Sequence, residues 1–318
     1  MVRLIMLCGL PGSGKSTLAK KISDKYDFSI VSSDAIRKEL YGDEKIQTDN
    51  AKVFKIVQDR IVNCLENDKS VVFDATNLVA KRRANFITEI KKRLRYKQFS
   101  CVAIVMSTIL HDCFVNNSRR ERQVPEYVVR TMSHSFQMPC YQEGFSHILI
   151  KYFNPQDKNK NSIKQIISYD KTISHDTQWH RYTVGKHEEI AGKYIMEKHL
   201  NSDILNIRDK IALIEATFTH DEGKFCVKSF INSRGEVDTN AHYYGHDSVG
   251  AYRSLWTETN GDTFTIIDRA ILISYHMLLH QYLQKDTLDV ALERLKNKVG
   301  MRYTMLLYEL YLADRYAH

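Results

Sequence analysis

The sequence predicts an α/β domain with a parallel sheet and flanking helices at residues 1–153, followed by an all-α domain at residues 177–318. Its 318 residues and 43% hydrophobic content allow two separate cores. The first half alternates short apolar runs with helical patterns, whereas the second half has apolar residues at helical spacing and no proline after Pro155. Polar residues beginning at Asn154 separate the halves. We therefore predict a linker at residues 154–176.

The excess positive charge lies in the first half. Residues 1–154 hold 25 Lys and Arg against 16 Asp and Glu, whereas residues 155–318 hold 21 against 22. A basic domain favours a polyanionic partner or substrate, although a charge surplus alone is more often a solvated surface. The six cysteines form no C-x-x-C pair, and no apolar run approaches the roughly 20 residues of a membrane span. We expect a reduced, soluble, cytoplasmic protein with no membrane partner.

The first strand, loop and helix carry a phosphate-binding motif. An apolar run at residues 3–8 is typical of a buried parallel strand, and residues 17–22 have a helical pattern. Residues 9–16 fit G-x-x-x-x-G-K-[ST], in which backbone N–H groups and the lysine hold phosphates and the hydroxyl ligates Mg²⁺. A chance glycine turn is the weaker reading because both flanks are present. Ser16 is the predicted Mg²⁺ ligand, and the predicted ATP-binding residues are Gly9, Gly12, Ser13, Gly14, Lys15, Ser16 and Thr17.

Acidic residues follow the next two predicted strands. Asp34 comes after residues 28–33, at the strand end that faces the ligand in an open parallel sheet. Asp34 could accept a proton from an attacking hydroxyl, with Arg37 one helical turn later to hold a phosphate, but a helix N-cap is an equal alternative for Asp34. After the third strand, residues 70–73, the candidates for holding the metal, its waters or the acceptor's phosphate are Asp74, Thr76 and Asn77.

An arginine-rich segment follows the fourth predicted strand, at residues 99–106. Residues 117–122 read NSRRER, with three arginines in four residues. They could form a solvated helix face. A kinase that uses ATP, however, needs a cation over the transferring phosphoryl group, and a mobile arginine lid is a usual source of that cation.

These motifs resemble the kinase domain of bacteriophage polynucleotide kinase over residues 3 to about 145. The resemblance is carried by residues 9–16, Asp34 with Arg37, Thr76-Asn77-Leu78 with Arg82-Arg83, Asn117-Ser118-x-Arg120, and Val124-Pro125-x-x-Val128-x-Arg130-x-Met132. It implies ATP and Mg²⁺ as cofactors, Asp34 as general base for a 5′-hydroxyl, Arg37 on the acceptor's 3′-phosphate and Arg120 as the lid arginine on ATP. The phage pattern has an acid directly before Thr-Asn-Leu, where this sequence has Ala75 and places Asp74 one position earlier. Related P-loop kinases act on metabolites, and the basic charge of this half favours nucleic acid.

The second half holds histidines and aspartates at helical positions. Lys186-His187 opens a predicted helix at residues 188–200, and His220-Asp221 ends another that begins at Ile211. Neighbouring helical side chains diverge by about 100°, so this pair could serve two metal ions with the carboxylate bridging. A further helix is predicted at residues 266–281. A mixed imidazole and carboxylate shell suits Mn²⁺, Fe²⁺, Co²⁺ or Mg²⁺.

This order resembles the HD phosphohydrolase superfamily over about residues 178–318, and in particular the HD domain attached to bacterial tRNA nucleotidyltransferases. The matching motifs are His180-x₆-His187, Thr219-His220-Asp221-Glu222-Gly223-Lys224, Tyr244-Gly245-His246-Asp247-Ser248-Val249-Gly250-Ala251, Ser274-Tyr275-His276-Met277 and Leu312-Ala313-Asp314. The resemblance implies that the metal ligands are His187, His220, Asp221, His246, His276 and Asp314. Because the last two histidines exceed what one ion needs, we expect two ions, such as Mn²⁺, Co²⁺, Ni²⁺ or Fe²⁺. Asp221 and the cation Lys224 are the predicted catalytic residues, with a helix-terminal lysine an equal alternative for Lys224.

The two halves together favour a bifunctional enzyme of RNA repair. One domain would phosphorylate 5′-OH ends, and the other would remove 3′-phosphates or 2′,3′-cyclic phosphates, leaving ends for a separate ligase. Known enzymes that pair these domains place the hydrolase first. The alternatives are a metabolite or nucleoside kinase joined to a nucleotidase or phosphodiesterase, and a non-catalytic HD domain that binds RNA or senses a ligand. The sequence leaves open RNA against DNA, the native metal and any homo-oligomer.

Overall fold

The chain divides into two compact units. The first comprises Met1–Met132 and Pro139–Asn154, and the second comprises Ser133–Met138 and Pro155–His318. Residues 154–171 of the predicted linker, and His180, lie outside the described residues. The computed structural model describes residues 1–46, 48–152, 172–177, 181–257 and 259–318.

A five-stranded parallel sheet in the order β2-β3-β1-β4-β5 forms the centre of the first unit. The strands are β1 Val2–Cys8, β2 Ser29–Ser32, β3 Val71–Asp74, β4 Phe99–Ser107 and β5 His147–Tyr152. The central strands are continuous apolar runs because helices cover both faces of such a sheet. The sequence did not predict β5, an edge strand that buries Ile148 but leaves Leu149 48% exposed.

The helices of the first unit hold the β1–α1 loop at the carboxyl edge of the sheet. They are α1 Lys15–Tyr26, α2 Ser33–Tyr41, α3 Asn50–Glu66, α4 Ala80–Arg93, α5 Leu110–Ser118 and α6 Glu126–Ser133. Helix α1 buries Ala19 and Ile22 in a cluster with Leu7, Val72 and Ile104. In a parallel sheet this edge is where ligands bind.

The second unit is mainly helical. Its helices are α7 Val184–His199, α8 Ile207–Thr217, α9 Lys224–Val227, α10 His246–Ser254, α11 Thr263–Tyr275, α12 Met277–Leu283, α13 Leu288–Val299 and α14 Met301–Tyr316. The all-α prediction was wrong in one respect, because β6 Ser229–Ile231 and β7 Val237–His242 form an antiparallel hairpin. The turn uses Gly235 at φ +83°, and the Asn232 side chain accepts hydrogen bonds from the backbone N–H groups of Arg234 and Glu236.

No helix in the described parts of the chain is long and apolar enough to cross a bilayer.

A short segment of the predicted first domain belongs to the second unit. Phe136 in Ser133–Met138 is fully buried, with its ring centroid 5.0 Å from that of Tyr252. The Met138 N–H donates to Ser274 Oγ at 3.1 Å, and the Met138 carbonyl accepts from the Tyr275 hydroxyl at 3.1 Å. Apolar burial and these two bonds explain why this segment groups with the second unit.

Two predicted helices of the second unit end earlier than predicted, one three residues before His220 and the other directly before His276. Helix α8 ends at Thr217, so His220 and Asp221 lie in a turn and not on the helix as predicted. The predicted helix at residues 266–281 is interrupted at His276, whose Nδ1 lies 2.8 Å from the Ile273 carbonyl oxygen. His276 itself keeps helical backbone angles, φ −59° and ψ −34°, so the interruption is a local irregularity between α11 and α12.

Candidate active sites

The loop at residues 9–16 is shaped to surround an anion. Gly12 and Gly14 have φ of +79° and +87°, values that favour glycine. A Cβ on Gly12 would lie 2.1 Å from the Cys113 carbonyl oxygen, so no side chain fits there. The Gly9 N–H donates to the Thr76 carbonyl at 3.0 Å, which ties the loop to the chain after β3. Because Gly14 caps α1 without a side chain, the first N–H groups of the helix point toward the loop interior.

Lys15 bends back over this loop. Its Nζ donates to the Leu10 carbonyl at 2.8 Å and lies 3.5 Å from Oγ of the buried Ser13. Burial lowers the pKa of Lys15, and the Asp74 carboxylate opposes that shift. Ser16, the predicted Mg²⁺ ligand, is exposed with Thr17 on the first turn of α1. Of the predicted ATP-binding residues, Ser13 and Lys15 are buried in the loop, whereas Ser16 and Thr17 are exposed.

Asp34 lies between two arginines. Its Oδ1 accepts from Arg37 Nη1 at 3.0 Å, and its Oδ2 pairs with Arg122 Nη1 at 2.7 Å. Arg37 is buried and also donates to Asn50 Oδ1 at 2.8 Å. The N-cap alternative for Asp34 was wrong, because Ser32 is the N-cap of α2 and its Oγ accepts from the backbone. Asp34 is 39% exposed on its side chain and is accessible to a substrate.

The arginine-rich segment forms a loop closed by Asn117. The Asn117 side chain donates to the Val124 carbonyl at 2.7 Å and accepts from the Val124 N–H at 3.1 Å. Arg120, the arginine named by the resemblance, is exposed in this loop, whereas Arg122 reaches Asp34. The contact of Arg122 with Asp34 was not predicted from the sequence, in which the three arginines stand out only as a group.

Asn77 and Arg83 support the turn after β3. Asn77 has φ +46° and donates from Nδ2 to the Leu7 carbonyl at 2.9 Å. Arg83 is fully buried, forms a two-bond ion pair with Glu143 at 2.7 and 2.8 Å, and donates to the Asn77 and Leu78 carbonyls. The amide of Asn77 is therefore engaged with the backbone of the sheet. Asp74 is buried at the end of β3.

In the second unit, the six predicted ligands converge around Asp221. Its Oδ1 lies 3.4 Å from His246 Nε2 and 3.9 Å from His276 Nε2. Its Oδ2 lies 3.6 Å from His220 Nε2 and 3.8 Å from His187 Nε2. Each oxygen of one carboxylate thus faces a different pair of imidazoles.

The converging side chains form overlapping groups, and the donor atoms within each group are close enough together to bind one metal ion. Asp314 completes the side of His187 and His220, with its Oδ1 2.8 Å and 3.6 Å from their Nε2 atoms. Within the described residues, groups whose donor atoms lie within 4.8 Å of one another are His187/His220/Asp221, Asp221/His246/His276 and His187/Asp314/His318. Asp221 is common to the first two groups. The arrangement could hold two ions that share this carboxylate.

The orientation of the histidines fits metal binding. The Nδ1 atoms of His220, His246 and His276 lie 2.9, 2.8 and 2.8 Å from the carbonyls of Thr217, Tyr243 and Ile273. A carbonyl partner assigns the proton to Nδ1 and leaves the Nε2 lone pair directed inward. Nε2 of His220 is buried without a hydrogen-bond partner among the described residues, and the Nε2 atoms of His246 and His276 are 3.2 Å apart.

The charges in this cluster are strongly perturbed. Burial would raise the pKa of Asp221, but Lys224 and His220 hold it well below its usual value. Burial would lower the pKa of His220, but in the ion-free protein Asp221 and Asp314 raise it to about 9, so a bound metal would have to displace the Nε2 proton. Burial and the neighbouring imidazoles of His246 and His220 lower the pKa of His276. The carboxylates therefore stay ionised, as ligands of a cation must be.

Three further histidines, none of which was predicted from the sequence to be a ligand, lie in the same cluster. His280 Nε2 lies 2.8 Å from Asp314 Oδ2, and His318 Nε2 lies 3.6 Å from Asp314 Oδ1. His280 is four residues after His276, and His318 four after Asp314, a helical spacing that could have identified both. His175 Nε2 lies 3.9 Å from Asp221 Oδ2, although the linker prediction included it. No local pattern marks His175.

Beside the cluster lies a cavity of about 350 Å³. Its walls include Asp221, Lys224, His246, Tyr243 and Tyr244. Lys224 Nζ is 2.6 Å from Asp221 Oδ2. The predicted cation therefore lines the cavity next to Asp221.

Comparisons with known proteins concern the first unit. Residues 4–139 match the model of a family described as an AAA domain, which is less than half of the chain. A search among curated proteins gave no match. Together with the loop geometry and the parallel sheet, the family match supports a P-loop kinase fold for the first unit, and it leaves the second unit unassigned.

Several solved structures resemble part of the chain. A chain of the Pnkp1/Rnl/Hen1 RNA repair complex has 20% identity, with 42% of this chain and 43% of that chain covered and a TM-score of 0.36. A gluconokinase from Sinorhizobium meliloti 1021 has 17% identity, coverages of 48% and 83%, and a TM-score of 0.34. A fungal RNA kinase has 16% identity, coverages of 51% and 80%, and a TM-score of 0.38. This chain spans less than half of the RNA-repair chain, and TM-scores this low do not choose between substrates.

Proposed function

We propose that the chain is a bifunctional enzyme that repairs nucleic-acid ends. The first unit transfers phosphate from ATP to a 5′-hydroxyl, and the second removes a 3′-phosphate or a 2′,3′-cyclic phosphate, with RNA favoured. The observation that carries the proposal is the presence in one chain of two phosphate-handling sites: Lys15 and Asp34 in one unit, and the cluster around Asp221 in the other. Each site alone is compatible with many substrates.

In the kinase, Asp34 is the proton acceptor. Its carboxylate is held by Arg37 and Arg122, so it keeps a fixed orientation while an acceptor hydroxyl approaches. Asp34 follows β2 and Lys15 follows β1, so both residues lie at the carboxyl edge of the parallel sheet, where donor and acceptor would meet. Lys15 and the loop N–H groups neutralise the triphosphate. Mg²⁺, which the exposed Ser16 hydroxyl could hold, would offset the remaining phosphate charge.

The positive groups around Asp34 favour an acceptor that carries its own phosphate. Arg37 is buried next to the carboxylate, and Arg122 lies opposite it. A substrate phosphate beside the attacking hydroxyl would pair with these guanidiniums as the carboxylate takes the proton. Nucleotides within a strand carry such a phosphate, whereas a simple alcohol does not. The charge balance of residues 1–154 points the same way.

In the hydrolase, the metal ligands and Lys224 have different roles. The divalent ions that these ligands would hold supply Lewis-acid activation of water and phosphoryl oxygen. Asp221, Asp314 and the histidines would hold these ions, and the backbone carbonyls that contact Nδ1 keep the imidazoles in place. Lys224 Nζ, at the cavity wall, neutralises a substrate phosphate.

The test of the kinase uses ATP, Mg²⁺ and oligonucleotides with 5′-OH ends, with products resolved on gels. Lys15→Ala and Asp34→Ala should each abolish transfer, whereas Asp24→Ala, which removes an exposed carboxylate of α1, should not. An active Asp34→Ala beside an inactive Lys15→Ala would make the acceptor assignment wrong. Much faster phosphorylation of mononucleosides or small alcohols would exclude nucleic acid as the substrate.

The test of the hydrolase uses oligonucleotides with 3′-phosphate or 2′,3′-cyclic ends and no ATP. Mn²⁺, Co²⁺ or Ni²⁺ should stimulate phosphate release, and His187→Ala, His220→Ala, Asp221→Ala or Asp314→Ala should abolish it. A protein that binds metal but cleaves only free nucleotides or cyclic dinucleotides would not be an end-repair enzyme.

A further inference from the structure

A pair of stacked rings stands at the rim of the second-unit cavity. The rings of His242 and Tyr244 have centroids 5.4 Å apart and planes 7° apart. The Tyr244 hydroxyl lies 3.3 Å from His242 Nδ1, and His242 Nε2 lies 2.9 Å from Asp238 Oδ2. His242 is therefore held on both sides of its ring, and it supports one face of Tyr244. Tyr244 nevertheless remains 55% exposed.

This pair lies directly next to the metal-ligand cluster. Tyr244 lines the same cavity as Asp221, Lys224 and His246, and only Gly245 separates it in sequence from His246. Its neighbour Tyr243 is fixed, because its hydroxyl donates to the His175 carbonyl and Lys224 lies over its ring at 5.5 Å. The rim thus places two tyrosine rings, each with side-chain partners, beside a cation and a set of metal ligands.

We propose that Tyr244, supported by His242, is the stacking platform for the base of the terminal nucleotide whose phosphate enters the cavity beside Lys224. This inference rests on the phosphohydrolase function proposed above and identifies the part of the substrate, a nucleobase, that the site recognises. An exposed tyrosine with one covered face offers its other face to a planar ring, and every nucleobase has such a face. The cavity, at about 350 Å³, is near the lower end of small-ligand pockets, so it suits one nucleotide.

Stacking on Tyr244 should discriminate between single-stranded and paired 3′ ends more than between base sequences. A base can stack on Tyr244 only when it has left its neighbours in a strand, so a single-stranded or frayed 3′ end should be preferred over a paired one. Stacking on an aromatic face tolerates all four bases. The unit would then act on 3′ ends of any sequence, provided that a base precedes the phosphate.

The experiment compares two substrates in the full-length protein with Mn²⁺. One is an oligonucleotide with a 3′-terminal nucleoside phosphate, and the other carries a tetrahydrofuran in place of the last nucleoside. The measured quantity is the ratio of their kcat/KM values. Tyr244→Leu, which keeps apolar volume but no ring, should lower this ratio about tenfold through KM. Tyr244→Phe should retain it, as should Tyr127→Leu, which changes an exposed tyrosine of the first unit.

The possible results distinguish the stacking role of Tyr244 from the hydrolase activity itself. An unchanged ratio in Tyr244→Leu would overturn the platform while leaving the hydrolase intact. A higher kcat/KM for a nucleoside 3′-monophosphate than for the oligonucleotide would identify free nucleotides as the source of the base. If the wild type hydrolyses neither substrate, the hydrolase proposal fails, and photocrosslinking of a 3′-terminal 5-iodouracil decides the platform separately. A crosslink on Tyr244 supports it, and a crosslink only elsewhere refutes it.

Discussion

The position of Asp221 between two groups of imidazoles predicts how metal content responds to substitution. Oδ1 faces His246 and His276, whereas Oδ2 faces His187 and His220. Wild-type protein should therefore bind about two Mn²⁺ per chain. His246→Ala removes a donor from one group only and should leave about one ion. Asp221→Ala removes a donor from both groups and should leave less than one.

The same division sets the effect of metal on stability. A site that is saturated at 100 times its Kd stabilises the folded state by about 2.7 kcal/mol. Two sites that are each saturated to that degree should together raise the free energy of unfolding of the second unit by about 5 kcal/mol. In His246→Ala that metal-dependent increment should fall to about half, and in Asp221→Ala it should nearly vanish.

Elemental analysis after equilibrium dialysis against Mn²⁺ measures the metal content, and urea unfolding with and without Mn²⁺ measures the increment. His147→Ala, which removes an exposed histidine of β5, is the matched control and should bind as much metal as wild type. Two ions retained in His246→Ala, or both lost, would refute the two-group arrangement. Normal metal content in Asp221→Ala would refute its bridging position.

Three further predictions concern both units. Lys15→Ala should abolish kinase activity but retain hydrolysis, whereas His220→Ala should abolish hydrolysis but retain kinase activity. Both activities are assayed on each variant, and loss of both in either folded variant would mean a shared site. Gly12→Ala should abolish ATP binding in titration calorimetry, whereas Gly42→Ala, at φ +76° with nothing within 4 Å, should not. Asp268→Asn should destabilise the second unit by about 3 kcal/mol at pH 7, because a buried carboxylate paired with arginines is lost. Burial would raise the pKa of Asp268, but its arginine and tyrosine partners lower it, so the difference measured by urea unfolding should hold above about pH 4 and shrink below it.

Local sequence patterns predicted much of the first unit. Four strands and the phosphate-binding loop lie where continuous apolar runs and glycines indicated them, because such runs reflect burial that each strand carries itself. The edge strand β5 was missed, since it is only half buried and its pairing with β4 joins distant residues. The contact between Arg122 and Asp34 was missed for the same reason, because it depends on how a distant loop folds back.

In the second unit, the order of histidines and aspartates predicted which side chains meet, but not the backbone that carries them. His220 and His276 were predicted on helices, and both lie where the chain leaves one. At His276 the imidazole contacts the Ile273 carbonyl of the preceding turn, a side-chain contact that hydrophobic periodicity does not register. His175 was missed because its closeness to Asp221 arises only from tertiary folding.

The segment Ser133–Met138 makes the second unit discontinuous in sequence. The buried Phe136 and the Met138 backbone bonds are encoded before Pro139–Asn154, which belongs to the first unit. A fragment cut at the linker would leave these residues behind and open a hole beside Tyr252 and Ser274. During synthesis, Phe136 leaves the ribosome long before Tyr252, so its side chain cannot be buried in the second unit until the later residues have been made. We therefore expect a fragment that begins at the linker to be less stable than the same unit in the whole chain, and point substitutions in the whole chain avoid this loss.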